Sequence, residues 1–463
     1  MLSASMQIVI LKTDFLFFLL LAGIFLYSLF VFKDKQLLGV WRQVFRKPLA
    51  IASGMVLFFY LAICLLDSIH FKHLANNEKS QEITSVLDSL FEPISKQVET
   101  TYSAPFAYSS FVKETILNDD GSVAREFPRL KFGGSHLIDP ESDYWPDIWI
   151  SLIYILCMGF VFWLVLLFIY YFFSYRSRPK SVISFVNFVL VSSGSSKVFW
   201  LALLGFCLSF SFLFVFAGHY HILGTDKVGN DVLYQSFKSI RTGVLIGTLT
   251  TLLALPFALI FGVTAGYFGG WIDDVIQFLY TTLSSIPGVL LIAAAALMLE
   301  IYMSKHSDIY MSVVARADLR LLALCMIIGI TSWTTLCRYV RAETLKLREM
   351  DFVAAATALG ATKLRIIFRH VTPNLMHLVM ITLVLDFSGL VLAEAALSYI
   401  DIGVDPSMES WGNMINSARL ELAREPVVWW SLGSAFFFML FLVLAANIFA
   451  DSTRDAFDPK TND

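Results

Sequence analysis

The chain has 463 residues, of which 57% are hydrophobic and only 15% are charged, and its formal net charge is -3. Soluble globular domains carry roughly 25% charged residues, so this composition excludes an ordinary soluble protein and indicates a polytopic membrane protein. The five cysteines lie in or at the ends of apolar runs, a distribution that argues against a disulfide or zinc framework.

Nine apolar stretches are long enough, or nearly long enough, to cross a bilayer as helices. They cover roughly residues 15–32, 49–66, 148–173, 198–217, 243–267, 275–300, 320–338, 375–395 and 429–450. We therefore predict an all-α polytopic membrane protein with about nine transmembrane helices.

Clusters of Lys and Arg in alternate connections predict the orientation of these helices. They follow the first, third and seventh stretches: Lys33, Lys35, Arg42, Arg46 and Lys47; Arg176, Arg178, Lys180 and Lys197; and Arg338, Arg341, Lys346 and Arg348. Basic connections stay on the cytoplasmic side, which places the N-terminus outside and the C-terminus inside the cell. If the first stretch instead lies in the membrane interface, the N-terminus moves inside and the remaining topology is unchanged.

The same alternation places the polar residues 67–147 on the extracytoplasmic side. The sequence Asn-Asp-Asp-Gly at 118–121 and the Gly-Gly pair at 133–134 are typical of turns. This segment is either a small domain that contacts a substrate-delivery protein or a spacer, and we favour a spacer or a modest scaffold. His136 and Asp139 are too few ligands for a metal site, and we predict no metal in the chain.

Pro287 lies within the sixth apolar stretch, in the sequence Ser-Ile-Pro-Gly at 285–288. Its ring frees one backbone carbonyl and kinks the helix, which membrane helices tolerate beside a neighbouring helix or a water-lined path. A static kink and a hinge explain this proline equally well. We include Pro287 among the candidate residues of a path for solute.

Residues 351–374 form a polar segment between the seventh and eighth apolar stretches. Its basic side chains, which keep it outside the hydrocarbon, are Lys363, Arg365, Arg369 and His370. We expect Asp351 to cap an alanine-rich helix that stops at Gly360. A second helix over 362–370 is expected to end before Pro373. The two helices predict a compact protrusion at one membrane face, although an ordinary basic connecting loop would carry similar charges.

The spacing of Ala355-Ala356, Gly360 and Pro373 resembles the EAA loop of permease subunits in binding-protein-dependent ABC importers. In that family this loop is the coupling helix, which docks into a groove on a cytoplasmic ATPase. The position that is usually Glu is Ala354 here, which removes one ion pair to the ATPase but not the docking shape. The resemblance implies an ATPase-coupling role for Asp351, Phe352, Ala355, Ala356, Gly360, Arg365, Arg369 and Pro373.

Further motifs are similar to those of the peptide and nickel permease group of this family. They are Trp-Arg-Gln-Val-Phe-Arg-Lys-Pro-Leu-Ala at 41–50, His-Ile-Leu-Gly-Thr-Asp at 221–226 with Gly229 and Asp231, the glycine-rich 262–271, Glu-Ala-Ala-Leu-Ser-Tyr at 394–399 and Ser-Trp-Gly-Asn-Met at 410–414. In the family one extracytoplasmic loop joins the first two motifs, whereas residues 67–217 intervene here. Alternatively, residues 198–217 are the family's first helix and everything earlier is an extension.

These motifs predict a division of the chain into four parts. The parts are N-terminal helices over 1–66, an extracytoplasmic insertion over 67–147, an additional helix pair over 148–217, and a type I ABC importer permease core over 218–463 with a coupling loop over 339–374.

Two carboxylates lie in the eighth apolar stretch, Asp386 deep within it and Glu394 near its outer end. An ionised carboxylate in hydrocarbon costs about 3 kcal/mol or more, so such residues usually face a protein interior or a water path. On a helix their directions differ by about 80°, which lets both lean into one cavity. We expect Asp386 to line a translocation path that favours cationic groups, and a bond to a neighbouring helix or subunit is the alternative.

We find no catalytic set in the sequence. Ser193 to Lys197 lacks the spacing and the buried strand of a phosphate-binding loop, and His219 and His221 lack a third metal ligand. The resemblance implies that partner ATPases bind ATP and Mg, so this chain is expected to hold no cofactor and to be a transport subunit rather than an enzyme. A secondary transporter would need paired broken helices, and a membrane enzyme would need clustered catalytic residues.

The resemblance also implies a complex in the bacterial inner membrane. The expected components are a second homologous permease subunit, two cytoplasmic ATPase subunits and an extracytoplasmic solute-binding protein, with no nucleic acid. Uptake of oligopeptides or dipeptides is the expected function, and nickel or another small solute is the alternative.

Overall fold

The computed structural model describes residues 6–73, 83–117, 123–174, 194–306 and 312–457. Some predicted features lie outside these ranges: the turn at 118–121, the cations Arg176, Arg178 and Lys180, and Ser193 at the start of the motif over 193–197.

Short strands alternate with helices in the first half of the described chain. The elements are β1 Met6–Val9, α1 Lys12–Lys33, α2 Lys35–Val44, α3 Pro48–Asp67, β2 His70–His73, β3 Ile83–Ser85, α4 Val86–Leu90, α5 Glu92–Ser95, β4 Glu114–Leu117, β5 Val123–Glu126, α6 Pro140–Ser174 and α7 Gly194–Phe216.

The second half of the described chain is helical. Its elements are α8 Val232–Phe268, α9 Gly270–Ser285, α10 Gly288–Lys305, α11 Val313–Arg348, α12 Asp351–Ala358, α13 Lys363–Ile366, a π-helix Ile367–Val371, α14 Thr372–Tyr399, α15 Trp411–Glu421 and α16 Trp430–Phe457.

The centre of the fold is the packed pair α8 and α11, of 37 and 36 residues. Asp231 caps the start of α8 by accepting hydrogen bonds from two backbone N–H groups. Glycines let the two helices approach closely. A Cβ at Gly262 would lie 2.7 Å from Val340. A Cβ at Gly266 would lie 2.6 Å from Thr344.

Eight helices of the described chain are long and apolar enough to cross a membrane: α1, α3, α6, α7, α8, α10, α14 from Leu378, and α16. The stretch predicted over 275–300 is interrupted, because the backbone is extended at Ile286 and Pro287 between α9 and α10. The stretch over 320–338 lies within α11, which is long but carries charged residues towards both ends. The protein is thus an all-α polytopic membrane protein, as predicted, with two small sheets that we did not predict.

The two small sheets lie at one end of the bundle, and only the pairing of β1 with β2 joins segments that are distant in the sequence. β1 pairs with β2 and β2 with β3, while β4 pairs with β5, all antiparallel. α1 starts near this end, since the backbone N–H of Lys12 donates to Asp318 Oδ2 at 2.9 Å. α1 leads to α2 at the other end, where Trp41 packs edge-on against Phe457. The first apolar stretch therefore runs along the bundle, and the alternative in which it lies across the interface is not supported.

Segment 67–147 is bound to the loop that precedes α8. The backbone N–H of Ser103 donates to Thr225 Oγ1 at 2.7 Å, and that of Phe106 donates to the carbonyl of His221 at 3.0 Å. These contacts agree with the modest scaffold that we favoured, and the alternative of a small domain that contacts a substrate-delivery protein stays open. The division of the chain into four parts stays a prediction.

Candidate functional site

The segment between α11 and α14 forms a protrusion at the end of the bundle opposite the sheets. We call residues 350–371 the protrusion. α12 ends in a Schellman motif, in which the N–H of Gly360 donates to the carbonyl of Thr357 at 3.0 Å and that of Ala361 to Ala356 at 3.1 Å. Gly360 has a φ of +79°, a conformation that favours glycine, so the predicted stop of this helix is confirmed.

The start of α12 differs from the prediction. The helix begins at Asp351, the N-cap is Met350, and no side chain accepts a capping hydrogen bond. Asp351 lies one position too far along the chain to be the cap. It lies instead in the first turn, where its negative charge is favourable beside the positive end of the helix dipole.

The prediction that the second helix ends before Pro373 is wrong. α13 continues through the π-helix into α14, and Pro373 lies in the first turn of α14. The backbone N–H of Thr372 reaches back five residues to the carbonyl of Ile367, so the helix widens just before the proline. Pro373 has no N–H, so one backbone hydrogen bond is omitted here, but the wider turn accommodates the proline without ending the helix. One continuous helical segment therefore leads from the protrusion into α14.

The protrusion has one buried face and one exposed apolar face. The buried side chains are Val353, Ile366, Ile367 and Val371. The exposed apolar side chains, with their exposed fractions, are Phe352 (38%), Leu359 (89%), Leu364 (64%) and Phe368 (72%). Four exposed apolar side chains on a short segment beyond the membrane-spanning helices indicate a surface for a partner protein.

Positive charges flank this apolar surface. A groove of about 560 Å³ runs between α12 and the end of α8, lined by Phe268, Ala354 and Lys363 among others. Arg365 and Arg369 are exposed, and neither forms an ion pair within the described part of the chain. Because residue 354 is alanine, the groove wall lacks the carboxylate that the family usually places there.

Asp386 lines a cavity of about 290 Å³ between α8, α11 and α14, which we call the polar cavity for its hydroxyl groups, although apolar side chains such as Leu255 and Trp333 also line it. The cavity also contains hydroxyl-bearing residues: Thr251, Thr331, Ser332, Thr334 and Thr335. Asp386 forms no hydrogen bond with any residue that the structure describes, so the alternative of a bond to a neighbouring helix is not observed here. Two walls of this cavity, α11 and α14, are the helices that the protrusion joins.

The expectation that Glu394 shares this cavity is wrong. Glu394 is buried, accepts a hydrogen bond from Ser398 Oγ at 2.8 Å, and lies against Gly412 of α15. On α14 the side chain of Glu394 points about 80° away from that of Asp386, and this direction faces α15. Pro287 is exposed between α9 and α10 and does not line the Asp386 cavity either. The structure therefore places the three candidate path residues at three separate locations.

A buried ionic cluster at the sheet-bearing end was only partly visible in the sequence. His221 Nδ1 lies 2.8 Å from Asp231 Oδ2, and His221 Nε2 lies 3.3 Å from Glu99 Oε1. Glu99 also accepts hydrogen bonds from the backbone N–H groups of Lys131, Phe132 and Gly133. His221 and Asp231 belong to one recognised motif, but nothing in the sequence indicates Glu99, which lies 122 residues away.

The cluster changes the pKa values of its members. Burial lowers the pKa of His221, but hydrogen bonds to Asp231 and Glu99 and their negative charges outweigh it and raise the pKa to about 9. Burial raises the pKa of Glu99, but the hydrogen bonds from His221 and from the backbone outweigh it and lower the pKa to about 2. At neutral pH the histidine is therefore charged and held between two carboxylates.

A second buried ionic cluster attaches α1 to the centre of the fold. Asp14 Oδ1 accepts hydrogen bonds from Arg241 Nη2 at 2.7 Å and Nε at 3.1 Å. Thr13 and the backbone of Lys12 bond to Asp318 of α11. Sequence analysis missed this cluster. The available signal was Arg241, two residues before the apolar stretch predicted over 243–267, because a charge so close to hydrocarbon requires a partner.

Among the described residues, no group of three or more His, Cys, Asp or Glu side chains is arranged to hold a metal ion. The chemistry of the site is thus that of a docking surface on the protrusion and a polar cavity within the bundle. Neither contains a catalytic constellation.

Comparison with known proteins agrees with this arrangement. The family model described as binding-protein-dependent transport system inner membrane component matches residues 258–463. A putative peptide permease protein of Brucella suis is 31% identical over 242 residues, which are 52% of this chain and 73% of that protein. The oligopeptide transport system permease protein OppC of Bacillus subtilis is 28% identical over 240 residues, 52% of this chain and 72% of that protein. OppC of Mycobacterium tuberculosis is 31% identical over 252 residues, 54% of this chain and 80% of that protein.

The resemblance stated from the sequence is confirmed by these similarities. Members of this family are transport components of the bacterial inner membrane, and they work with an ATPase and a solute-binding protein. The chain therefore belongs to the family of inner membrane components of binding-protein-dependent transport systems, as a permease subunit of an ABC importer rather than an enzyme.

Proposed function

We propose that this subunit imports peptides and forms half of the translocation path. Two observations support peptides as the substrate class: the motif from His221 to Asp231 and the names of the relatives, which are permeases for peptides or oligopeptides. In this proposal the other half of the path belongs to a second, homologous permease subunit. Two cytoplasmic ATPase subunits bind ATP and Mg, and a binding protein delivers solute from outside.

The observation that carries the proposal is the link between the protrusion and the polar cavity. α12 is joined to α11 through Met350 and to α14 through the π-helix. Both α11 and α14 contribute walls to the cavity that contains Asp386. A movement imposed on α12 by an ATPase is thereby transmitted to two walls of the cavity, which gives the ATPase a means of changing access to it.

The protrusion is proposed as the coupling surface. Its exposed apolar side chains supply buried area for an ATPase groove, and Arg365 and Arg369 supply charges for acidic partners. The residues assigned to coupling are Asp351, Phe352, Ala355, Ala356, Gly360, Arg365, Arg369 and Pro373. This role requires the protrusion to face the cytoplasm, with the N-terminus and segment 67–147 outside and the C-terminus inside.

We assign Asp386 to the path itself. Its carboxylate lies among hydroxyl groups, without a hydrogen-bonding partner in the described chain, and is therefore free to interact with a passing cation or amino group. Pro287 lies on the exposed face of α9 and α10, beside Val289 and Leu290. We place the contact with the second permease subunit on this face.

The test is peptide uptake by the complete complex in liposomes. We expect uptake of cationic and neutral peptides by the unaltered complex, and Asp386→Asn is expected to lower uptake of cationic peptides about tenfold more than uptake of neutral ones. Glu126→Gln, the same carboxylate-to-amide change at an exposed residue outside the cavity, serves as the control. Equal loss for both peptide types would remove Asp386 from the path, and uptake of nickel without uptake of peptides would overturn the substrate class.

A further inference from the structure

The end of the bundle that carries the protrusion contains a narrow apolar slot beneath α2. We call this the α2 slot. Its apolar lining side chains are Trp41, Met380, Ile381, Val384, Phe449 and Phe457, and Arg454 also lines it. α2 is amphipathic: Val44 is fully buried against Ala50 and Ala456, whereas Arg42 is exposed. The slot therefore lies between α2, α14 and α16.

The α2 slot lies at the boundary of the membrane hydrocarbon. Met380 is close to the start of the membrane-spanning part of α14, which begins at Leu378. On α16, Phe449 precedes Asp451, the first charged residue of this helix. Trp41 is a residue type that favours this depth, where hydrocarbon meets lipid headgroups. An apolar slot at this level opens towards acyl chains and phosphate groups together.

Positive charge is in excess around the slot. Residues 33–47 and 450–457 contain six cations, Lys33, Lys35, Arg42, Arg46, Lys47 and Arg454, against three carboxylates, Asp34, Asp451 and Asp455. Lys47 is paired with Asp455 at 2.8 Å. Arg42, Arg46 and Arg454 are exposed and form no ion pair with residues that the structure describes. Arg454 lines the slot, and Arg42 and Arg46 belong to α2 and the turn that follows it, so an anion at the slot meets an excess of positive charge.

One polar atom in the lining lacks a partner. The indole Nε1 of Trp41 is buried and forms no hydrogen bond to any described residue. Buried donors in folded proteins are nearly always hydrogen-bonded, so an unpaired one beside a slot indicates a missing acceptor. The ester and phosphate oxygens of a phospholipid are acceptors at this depth of the membrane.

We propose that the α2 slot binds one anionic phospholipid of the leaflet on the protrusion side. The slot has a volume of about 40 Å³, so it takes only the methylene groups next to the ester, and the rest of the acyl chain lies in the bilayer. An ester or phosphate oxygen accepts the hydrogen bond of Trp41, and the phosphate lies near Arg454, on the side of the bundle that carries Arg42 and Arg46. The excess of cations favours an anionic over a zwitterionic headgroup. The bound lipid fastens α2 to α14 and α16, and its binding does not depend on which solute is transported.

The test measures lipid retained by the purified complex. The complex is prepared in detergent micelles doped with phosphatidylglycerol or with phosphatidylcholine, and native mass spectrometry counts the lipids that remain bound. The variant is R42Q/R46Q/R454Q, and the matched control is K113Q/R125Q/K227Q, which removes three exposed cations at the opposite end of the bundle. Thermal unfolding of both variants establishes that they fold.

We expect the unaltered complex to retain one phosphatidylglycerol per chain in preference to phosphatidylcholine. R42Q/R46Q/R454Q is expected to bind phosphatidylglycerol at least about tenfold more weakly, and the control is expected to bind it as the unaltered complex does. Equal retention of the two lipids would overturn the proposal, as would unchanged affinity in R42Q/R46Q/R454Q. An equal loss in the control would also overturn it. Val384→Phe, which fills the slot without changing charge, is expected to abolish the retained lipid, and undiminished retention would contradict the slot as its site.

Discussion

At the scale of single residues, His221 carries a proton at a site where burial alone would remove it. Its ordinary pKa of 6.5 is raised to about 9, so its contribution to folding is fully present below pH 6.5 and lost as pH rises through 9. The ordinary pKa of Glu99, 4.5, is lowered to about 2, so its contribution is present above pH 4.5 and lost as pH falls through 2. The cluster therefore stabilises the fold fully only between pH 4.5 and pH 6.5.

Because the pKa of His221 is raised in the folded protein, we predict that stability decreases as pH rises. We expect the unfolding temperature of the purified protein to fall as pH rises from 6.5 to 9. His221→Gln is expected to remove that slope and to cost about 1–3 kcal/mol at pH 6.5, because it leaves a buried carboxylate without a donor. The control is His136→Gln, whose half-buried ring pairs with Asp147 at the same end. A slope in His221→Gln equal to that of the unaltered protein would contradict this assignment.

For the buried pair of Asp14 and Arg241 we expect a different effect, because removal of one partner leaves the charge of the other uncompensated. The two side chains are 0% and 7% exposed. We expect Asp14→Ala alone to destabilise the protein by about 3–5 kcal/mol and the double variant with Arg241→Met to recover part of that loss. The measurement is thermal unfolding of both variants, with Lys96→Ala in an exposed pair as the control, expected to have no effect. Additive losses in the double variant would show that the two residues are not coupled.

At the scale of elements, α12 was more predictable from the sequence than the helical segment after Gly360. The stop at Gly360 was predictable because a left-handed residue after an alanine-rich helix is a local requirement. The continuation through Pro373 was not, because the π-helix just before the proline absorbs the irregularity that would otherwise end the helix. Local rules identified the proline correctly but placed it at the wrong end of a helix.

The exposed face of the protrusion predicts the strength of ATPase binding. Leu359 is 89% exposed, so Leu359→Ser leaves the fold intact, but it removes apolar area from the proposed docking surface. We expect the ATPase to bind Leu359→Ser about tenfold more weakly, in the range typical of an interface anchor. Affinity is measured by titrating the ATPase onto the permease pair. Ile138→Ser, equally exposed at the other end of the bundle, is the control. Unchanged affinity of Leu359→Ser would exclude this face.

At the scale of the whole molecule, the chain is predictable where its properties are periodic and unpredictable where distant segments meet. Apolar stretches and the motifs from residue 221 onwards identified the membrane class, the family and most helices. The contact between Glu99 and His221, and that between Asp14 and Arg241, join segments 122 and 227 residues apart. No spacing rule connects such pairs, and they are among the contacts that tie the N-terminal region to the permease.

The central claim is that the protrusion transmits work between an ATPase and the helices around Asp386. Gly360→Leu tests it most directly, because the backbone at φ +79° is strained for leucine while no neighbouring atom obstructs the added side chain. The measurement is peptide-stimulated ATP hydrolysis by the assembled complex in liposomes, with Gly218→Leu at the opposite end as the control. We predict that Gly360→Leu assembles normally and loses most of the stimulation, while Gly218→Leu retains it. Full stimulation in an assembled Gly360→Leu complex would contradict the account.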